Sequence, residues 1–544
     1  MSIKTELSNI IKTSLKEIDT EKILEDTKII IEVPAKRENG DYSSNIAMTV
    51  TKKLKKNPME IAELIVNHIN KLNVIEEIQI APPGFINFYL KKDYLLSYIN
   101  RIIEEKRNYG RNTIGNNKRI NIEFVSANPT GILHIGHGRG ATYGDNLARI
   151  MTVCGYDVTK EYYINDAGNQ MNNLGISIKE RYKELCGDAC NLPENGYHGV
   201  EIIDLAKKIY NIYGKSKLEE DVEFFKQEGL TVLLDRIKKD LDRYRVNFNI
   251  FTSEQSLYDK CLVEDTLNKL RYSGDNCYLK DDALWLKTSS YGDEKDRVLI
   301  KNDGNYTYFA PDISYHIDKI NRGYDRLIDV LGADHHGYIN RLKAALTILG
   351  KDSDILDIKI LQMVRLIKEG VELKLSKRTG KTITLMDLVD EIGVNATRYF
   401  FSSHSLDTAM DLNIDLALKE TNENPVYYIE YANARICSIL KNYKQKIEII
   451  DKYTTLTSND AYTILNKLTE YEDVVIASCI KESPHLIANY VYELASLFHS
   501  FYAKEKIITE DKEATQERIN LLYSIQIVLN NALDLIGIIP REQM

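Results

Sequence analysis

The sequence is poor in the features that stabilise or target a protein by special means. Cysteine is scarce, with 7 residues in 544, and this odd, scattered set predicts reduced thiols rather than a disulfide framework. No run of about eighteen apolar residues occurs, which argues against a transmembrane helix. Residues 1–22 mix charges of both signs and lack the apolar stretch of a signal peptide, so we expect a cytoplasmic protein.

Proline is also rare, with 10 residues, and neither sign of charge is in large excess. The 71 basic and 80 acidic residues give a formal net charge of −9, which excludes a uniformly basic nucleic-acid coat but permits local basic patches. Apolar residues make up 43% and charged residues 28%, as is typical of globular proteins. At roughly 150 residues per domain, the length predicts about three or four domains.

Changes of pattern divide the chain into three predicted domains. Residues 1–115 mix helical and strand patterns with glycine and proline turns, and they predict an α+β N-terminal domain. Residues 116–385 predict an α/β domain interrupted by a polar insertion at about 190–295, with helical stretches such as 222–243. Residues 386–544 have an almost entirely helical pattern, so we expect an all-α bundle at the C-terminus.

A histidine motif follows the clearest predicted strand, residues 119–125. His134, Gly136 and His137 stand at the start of a helical pattern that Gly155 ends. Helix N-termini bind polyphosphates because their N–H groups are unpaired, glycine permits close approach, and histidine N–H groups can donate to phosphate oxygens. The motif alone is short enough to be an ordinary glycine-rich turn. Its place between strand and helix favours nucleotide binding.

A basic motif stands much later in the chain, at Lys374, Ser376 and Lys377. Two lysines three residues apart can hold a pyrophosphate as flexible point charges, although most such runs are solvated loops. Together the two motifs resemble the H-I-G-H and K-M-S-K-S motifs of class I aminoacyl-tRNA synthetases. Leu375 replaces the usual methionine, which is a volume-conserving exchange.

Further segments resemble arginyl-tRNA synthetases of the bacterial type, and the resemblance covers essentially the whole chain. These segments are residues 126–131, 163–170, 308–316, 332–338 and 424–428. The resemblance implies a Rossmann-type class I catalytic domain, an N-terminal domain that contacts the corner of tRNA, and a helical anticodon-binding domain. It also implies a monomer.

Arginine recognition requires carboxylates that accept a planar, bidentate guanidinium. By resemblance, the arginine-binding residues are Glu123, Ser126, Asn128, Tyr308, Asp312 and His335. Whether His335 or the neighbouring Asp334 contacts arginine stays open. Three of these residues also have a purely structural alternative. Glu123 could be a buried strand carboxylate paired with an arginine such as Arg119, Asp312 could cap a helix that begins at Pro311, and Tyr308 could lie in the core.

The resemblance also implies a mechanism without a covalent enzyme intermediate. The carboxylate of L-arginine attacks the α-phosphate of ATP, with His134 and His137 stabilising the transferring phosphoryl group and Lys374 and Lys377 holding pyrophosphate. Mg²⁺ is expected on the phosphates. The 2′-hydroxyl of the terminal adenosine of tRNA(Arg) then accepts the arginine. Bound tRNA should be needed for efficient activation, which predicts coupling between distant parts of the chain.

Two further groups of residues are candidates for tRNA contact. Tyr427, Tyr431 and Arg435 form an aromatic and basic cluster on which anticodon bases could stack, or else a helix face that packs into the bundle. In the N-terminal region, Phe85 and Asn87 are candidates for the corner of tRNA. The alternative is that Phe85 and Phe88 are only the core of that region.

Three other functions compete with this interpretation. The first is a class I synthetase for lysine, glutamate or glutamine. Two acidic pocket residues favour a cationic substrate, so only lysine remains on charge alone. The second is a nucleotidyltransferase with the histidine motif, although such enzymes are usually far smaller. The third is a non-catalytic RNA-binding relative, which would be expected to lose the motif histidines and lysines that this chain retains.

Overall fold

The computed structural model describes seven stretches of the chain and leaves short gaps between them. The described residues are 3–19, 23–24, 26–34, 37–69, 73–333, 337–373 and 383–544. The strands are β1 (Ile31–Glu32), β2 (Tyr42–Ser44), β3 (Ile75–Ala81), β4 (Phe85–Leu90), β5 (Arg119–Glu123), β6 (Asp157–Ile164), β7 (Ile250–Ser253), β8 (Cys277–Lys280), β9 (Ala283–Leu286), β10 (Arg297–Ile300), β11 (Arg326–Gly332), β12 (Leu356–Leu361), β13 (Val364–Lys368), β14 (Val371–Glu372) and β15 (Met410–Asn413).

The helices follow the same chain order. They are α1 (Ile3–Ile18), α2 (Ile46–Thr49), α3 (Thr51–Leu54), α4 (Pro58–Asn67), α5 (Lys92–Glu105), α6 (Ile135–Val153), α7 (Asn169–Cys186), α8 (Val200–Tyr213), α9 (Val222–Arg243), α10 (Gln255–Asp259), α11 (Leu262–Arg271), α12 (Phe309–Asn321), α13 (Tyr338–Ile348), α14 (Leu385–Ser402), α15 (Ile414–Leu418), α16 (Pro425–Tyr443), α17 (Asn459–Ile480), α18 (His485–Lys504) and α19 (Lys512–Leu535). Among the residues that the structure describes, no helix is long and apolar enough to cross a membrane.

The N-terminal region is an antiparallel sheet covered by helices. Its strand order is β1-β2-β4-β3, and Ile86 and Phe88 of β4 are fully buried beneath α2 and α4. Helix α5 leaves this sheet and packs against α17 and α19 of the C-terminal bundle. Arg101 on α5 forms an ion pair of 2.5 Å with Glu472 on α17. The first and last regions of the chain are therefore in direct contact.

The central sheet is parallel and has the strand order β12-β11-β5-β6-β7. Strand β5 is buried along almost its whole length, as expected of a parallel strand covered on both faces. Glu123 at the end of β5 lies opposite Asp329 on β11 and opposite Glu161 on β6. The predicted strand 119–125 is thus correct in place but ends two residues earlier.

The region 190–295 is not a single insertion outside the sheet, because it contains strand β7, which pairs with β6. Before β7, helices α7, α8 and α9 pack on one another around a small core of their own, and α9 spans the predicted residues 222–243. After β7, strands β8, β9 and β10 form a separate antiparallel sheet. Sheet and helices therefore alternate within the predicted insertion.

Two helices position the site. Helix α6 begins at Ile135 with His134 as its N-cap, and it ends near Gly155, which adopts a left-handed φ of 83°. Helix α12 begins at Phe309, so the predicted start at Pro311 is wrong by two residues. The prediction that residues from 386 onward are almost entirely helical has one exception, since β15 pairs in parallel with β13.

Candidate active site

A cavity of about 820 Å³ opens at the carboxyl ends of β5, β6 and β11, between α6 and α12. This is the position at which open parallel sheets bind ligands. It is lined by all the described residues that the sequence predicts to bind ATP or arginine: Glu123, Ser126, Asn128, His134, Gly136, His137, Tyr308 and Asp312. The other predicted residues, His335, Lys374, Ser376 and Lys377, lie outside the described residues.

The two motif histidines cap helix α6 and stack on each other. The N–H of Gly136 donates to His134 Nδ1 at 3.1 Å, and the N–H of His134 donates to His137 Nδ1 at 3.2 Å. Because each Nδ1 accepts a hydrogen bond, the proton of each neutral ring must be on Nε2. The ring centroids are 3.6 Å apart. Burial and the neighbouring His134 lower the pKa of His137 to about 3, so this ring is neutral at physiological pH.

The chain that follows the basic motif returns to the histidines. Thr384 forms an antiparallel bridge with His134, and the N–H of Leu385 donates to the carbonyl of Leu133 at 2.8 Å. The start of α14 is therefore tied to the start of α6.

Glu123 is a buried strand carboxylate paired with a basic side chain, as its structural alternative predicts, but the partner is Lys319 and not an arginine such as Arg119. Arg119 instead donates to the backbone carbonyls of Arg322 and Gly323. The Glu123 carboxylate accepts hydrogen bonds from Lys319 Nζ at 2.5 Å and from Ser126 Oγ at 2.9 Å. Its partner is a lysine that follows it by 196 positions in the chain.

Asp312 lies in the first turn of α12 and is not the helix cap, because the helix begins at Phe309. Its carboxylate accepts a hydrogen bond from the Tyr338 hydroxyl. Among the described residues, no lysine or arginine forms an ion pair with it. Burial raises the pKa of Asp312 to about 6. The two predicted carboxylates of the pocket are therefore in different electrostatic surroundings.

The remaining predicted pocket residues lie around these carboxylates. Ser126 adopts a left-handed φ of 36°, which turns its hydroxyl back towards Glu123. Asn128 donates from its side chain to Gln170 at 3.0 Å. Tyr308 is 60% exposed, so it does not belong to the core and instead lines the edge of the cavity.

Several site residues were not predicted from the sequence. His316 and Lys319 follow Asp312 at helical spacing and contact Asp329 at 2.7 and 2.8 Å. The available signal was the spacing of Asp312, His316 and Lys319 at i, i+4 and i+7, which places them on one face of the helix. Glu254, just after β7, is also buried at the cavity, and burial followed by repulsion from Asp312 raises its pKa to about 7.

Three family models match the chain. They are the arginyl tRNA synthetase N terminal domain over residues 5–90, tRNA synthetases class I (R), catalytic domain, over 98–404, and the DALR anticodon binding domain over 429–544. The chain is 44% identical to arginine–tRNA ligase of Bacillus subtilis over the whole of both chains. It is 47% identical to arginine–tRNA ligase 1 of Halalkalibacterium halodurans, over 95% of this chain and 94% of that one.

The chain belongs to the arginyl-tRNA synthetase family. Its fold is also that of the Thermus thermophilus arginyl-tRNA synthetase, with a TM-score of 0.81 over the whole of both chains; the identity of 19% limits this likeness to the fold. The predicted fold class is confirmed: a class I catalytic domain with a parallel sheet, an N-terminal domain and a helical anticodon-binding domain.

In this synthetase, the aromatic and basic cluster predicted for tRNA contact lies on one face of α16. Tyr427 and Tyr431 stack with their ring centroids 6.1 Å apart. The guanidinium of Arg435 lies 4.3 Å from the Tyr431 ring centroid and 4.6 Å from that of Tyr502. The rings of Tyr427 and Tyr431 and the Arg435 side chain are half-buried. They therefore both pack on the bundle and present a surface to solvent.

The two N-terminal candidates for tRNA contact differ in exposure. Phe85 begins β4 and is 36% exposed, so it is not a core residue. Asn87 is buried, and its side-chain oxygen accepts a hydrogen bond of 2.6 Å from Ser43 Oγ. Alternation along β4 places Asn87 on the same face as Phe85 and opposite Ile86 and Phe88, and its burial does not support the tRNA contact predicted for it.

Proposed function

We propose that the chain is an arginine–tRNA ligase that uses the cavity between α6 and α12 as its active site. The observation that supports this most directly is the convergence of the two motif histidines with Asp312 and Tyr308 in one cavity. The N-terminus of α6 is suited to a phosphate, and the Asp312 carboxylate is suited to a guanidinium. Both line this cavity. The identity of the relatives over the whole chain supports the same activity.

In the first step, a carboxylate oxygen of L-arginine attacks the α-phosphorus of ATP. The bond from that phosphorus to the bridging oxygen breaks, and pyrophosphate leaves with the bonding electrons. His134 and His137 donate from Nε2 to the phosphate oxygens as charge develops, because their Nδ1 atoms already accept backbone hydrogen bonds. Such donors act by preorganisation and need no proton transfer.

Pyrophosphate is held by Lys374 and Lys377, with Ser376 between them, and these roles remain predictions. Mg²⁺ enters on the phosphates of ATP and offsets their charge. We expect the ligands of this ion to be chiefly phosphate oxygens and water. The ATP-binding set proposed here is otherwise His134, Gly136 and His137.

Arginine lies with its guanidinium towards Asp312 and Tyr308 and with its α-amino or carboxylate end towards Asn128 and His335. Asp312 is the carboxylate of the predicted pair without a cationic partner among the described residues, so it offers the stronger attraction for a guanidinium. Ser126 contributes to the arginine site by donating a hydrogen bond that orients the Glu123 carboxylate.

The second step transfers the arginyl group to the 2′-hydroxyl of the terminal adenosine of tRNA(Arg), and AMP leaves. The face formed by Tyr427, Tyr431 and Arg435 stacks on anticodon bases, and Phe85 contacts the corner of the tRNA. The domains of the chain are residues 1–115, 116–385 and 386–544. The enzyme is monomeric and cytoplasmic, and its activation of arginine depends on bound tRNA.

The test is ATP–pyrophosphate exchange by the purified full chain with arginine or lysine, with and without total tRNA from the matching source. We expect exchange with arginine and little with lysine, and a strong dependence on tRNA. Exchange with lysine would contradict the assignment of the pocket. The absence of exchange with either amino acid, from folded protein that binds tRNA, would favour a non-catalytic relative.

A further inference from the structure

A fully buried lysine lies beside the arginine pocket. Lys319 is on α12, and its side chain is 0% exposed. Its Nζ lies 2.5 Å from Glu123 Oε2 and 2.8 Å from Asp329 Oδ1. An ammonium group without water is unstable in a protein unless opposite charges surround it. Both of the carboxylates that satisfy it belong to the central sheet.

The register of that sheet explains why a cation is needed. Glu123 and Asp329 are directly opposite each other on β5 and β11. Side chains at the same register of neighbouring strands share a face of the sheet and start about 5 Å apart. Two carboxylates at that distance repel, so they ionise together only when a cation lies between them. Although burial alone would lower the pKa of Lys319, these carboxylates raise it above its usual value.

A stripe of polar residues on α12 gives Glu123 a cationic partner but gives none to Asp312. Asp312, His316 and Lys319 are spaced at i, i+4 and i+7, so they share one helix face. At one end of this stripe, Lys319 contacts Glu123 and Asp329. At the other end, Asp312 borders the cavity, and among the described residues only a tyrosine hydroxyl is shown to hydrogen-bond its carboxylate. Of the two carboxylates that the sequence predicts to bind arginine, Glu123 is therefore paired with a built-in ammonium and Asp312, within the described part of the chain, is not.

We propose that Lys319 is a positioning residue that keeps Glu123 from pairing with the substrate cation. It neutralises Glu123 and holds that carboxylate against Ser126, so that Asp312 is left to pair with the guanidinium of arginine. This inference rests on the proposed function and deepens it. Without the ammonium, Glu123 gains an unpaired charge beside Asp329 and is free to change rotamer within the cavity. The geometry of the arginine site is then no longer fixed.

The first test is Lys319→Met, which removes the charge and keeps a flexible apolar chain. In tRNA-dependent ATP–pyrophosphate exchange, we expect the KM for arginine to rise at least tenfold and the KM for ATP to change less than twofold. A matched control is Lys226→Met. Lys226 is also a buried lysine, paired with Glu223 on α9 and outside the cavity. In this control, the KM for arginine should stay within twofold of the wild-type value.

A double-mutant cycle with Glu123→Gln asks whether Lys319 acts through Glu123. If it does, the double variant should have a KM for arginine no more than twofold above that of Lys319→Met, because the carboxylate that needs positioning is gone. Independent roles would instead multiply the two single effects and overturn the proposal. If Lys319→Met does not fold, the double variant can still be measured. It replaces the Glu123 carboxylate with a neutral amide, so Glu123 no longer contributes an unpaired buried charge.

The outcomes separate this inference from the proposed function. If the wild type does not exchange with arginine, both are overturned. If the wild type is active and folded Lys319→Met keeps a KM for arginine within twofold of it, only the role of Lys319 is overturned. An equal rise in the KM for ATP and for arginine would indicate a general structural role and would overturn it as well. Circular dichroism and thermal unfolding establish that each variant is folded.

Discussion

Asp312 and Glu123 have the same charge, but only Glu123 has a cationic partner among the described residues. Asp312→Asn keeps the shape of the side chain and removes its charge. Loss of one member of a buried charge pair costs about 2–5 kcal/mol, so kcat/KM for arginine should fall about 30-fold or more. The KM for ATP should hardly change. Steady-state exchange kinetics measure both, with Asp303→Asn on an exposed turn as the control. An unchanged kcat/KM for arginine would contradict this role.

The same carboxylate predicts a pH dependence. Burial raises the pKa of Asp312 to about 6, and nearby Glu254 has a pKa of about 7 because of burial and of Asp312 itself. Protonated Asp312 is neutral and cannot pair with a guanidinium. We therefore expect kcat/KM for arginine to be constant near about pH 8 and to fall as the pH drops below about 6. A pH profile of the wild type and of Asp312→Asn tests this, and an acid-side fall that persists unchanged in the variant would count against Asp312.

Single residues also show what can be learned from a sequence. The sequence could assign two groups of residues to one cavity. The motif histidines are close together in the chain, and the residues from Glu123 to Asp312 are marked by family resemblance. The partner of Glu123 was not found. Lys319 meets it only through the packing of α12 on the sheet, across 196 positions. The burial of Asn87 could not be predicted either, because it depends on the pairing of β4 with β2 and β3.

At the scale of elements, helix α6 packs closely against Phe124, the residue that follows β5. A Cβ at Gly144 would lie 2.2 Å from the Phe124 ring, next to Glu123, whereas a Cβ at Gly140 would meet only Leu361 at 3.7 Å. Gly144→Ala should therefore destabilise the protein by about 1–3 kcal/mol through overpacking. Gly140→Ala, within the same helix, should be neutral or stabilising by up to about 1 kcal/mol. Urea unfolding of both variants tests the pair, and equal stabilities would contradict the packing account.

The errors in element prediction have physical causes. Helix α12 begins two residues before Pro311 because none of the first N–H groups of a helix needs an intrahelical partner, so proline fits anywhere in that turn. Strands β7 and β15 have four residues each, and each depends on pairing with a strand distant in the chain. The long periodic elements, such as α9 and β11, have patterns that specify them locally.

At the scale of the whole molecule, the anticodon-binding bundle contacts the catalytic sheet directly. Glu482, in the turn between α17 and α18, pairs with Lys359 on β12 at 2.5 Å. The hydroxyl of Tyr143 on α6 donates to the carbonyl of the same residue at 3.0 Å. The turn thus touches both the helix that the motif histidines cap and a strand that leads to the cavity. The coupling between tRNA binding and activation stays a prediction, and this contact joins two regions that such a coupling has to link.

The aromatic face of α16 predicts how the distant end of the molecule affects tRNA affinity. Stacking of a base on an aromatic ring contributes about 1–3 kcal/mol, so Tyr431→Ala should raise the KM for tRNA about 5-fold to 150-fold. The KM values for arginine and ATP should stay near those of the wild type. Tyr431→Phe keeps the ring and should resemble the wild type. Aminoacylation kinetics distinguish the two, and a similar loss in both variants would argue against stacking.

The most direct measurement is to offer the purified chain all twenty amino acids, ATP and total tRNA, and to identify by mass spectrometry which amino acid becomes esterified to which tRNA. The structure places the stacked motif histidines and an acidic pocket in one cavity, which suits ATP and a guanidinium. We predict arginine alone, on tRNA(Arg) alone. Esterification of lysine, or of no amino acid by folded protein, would contradict the account.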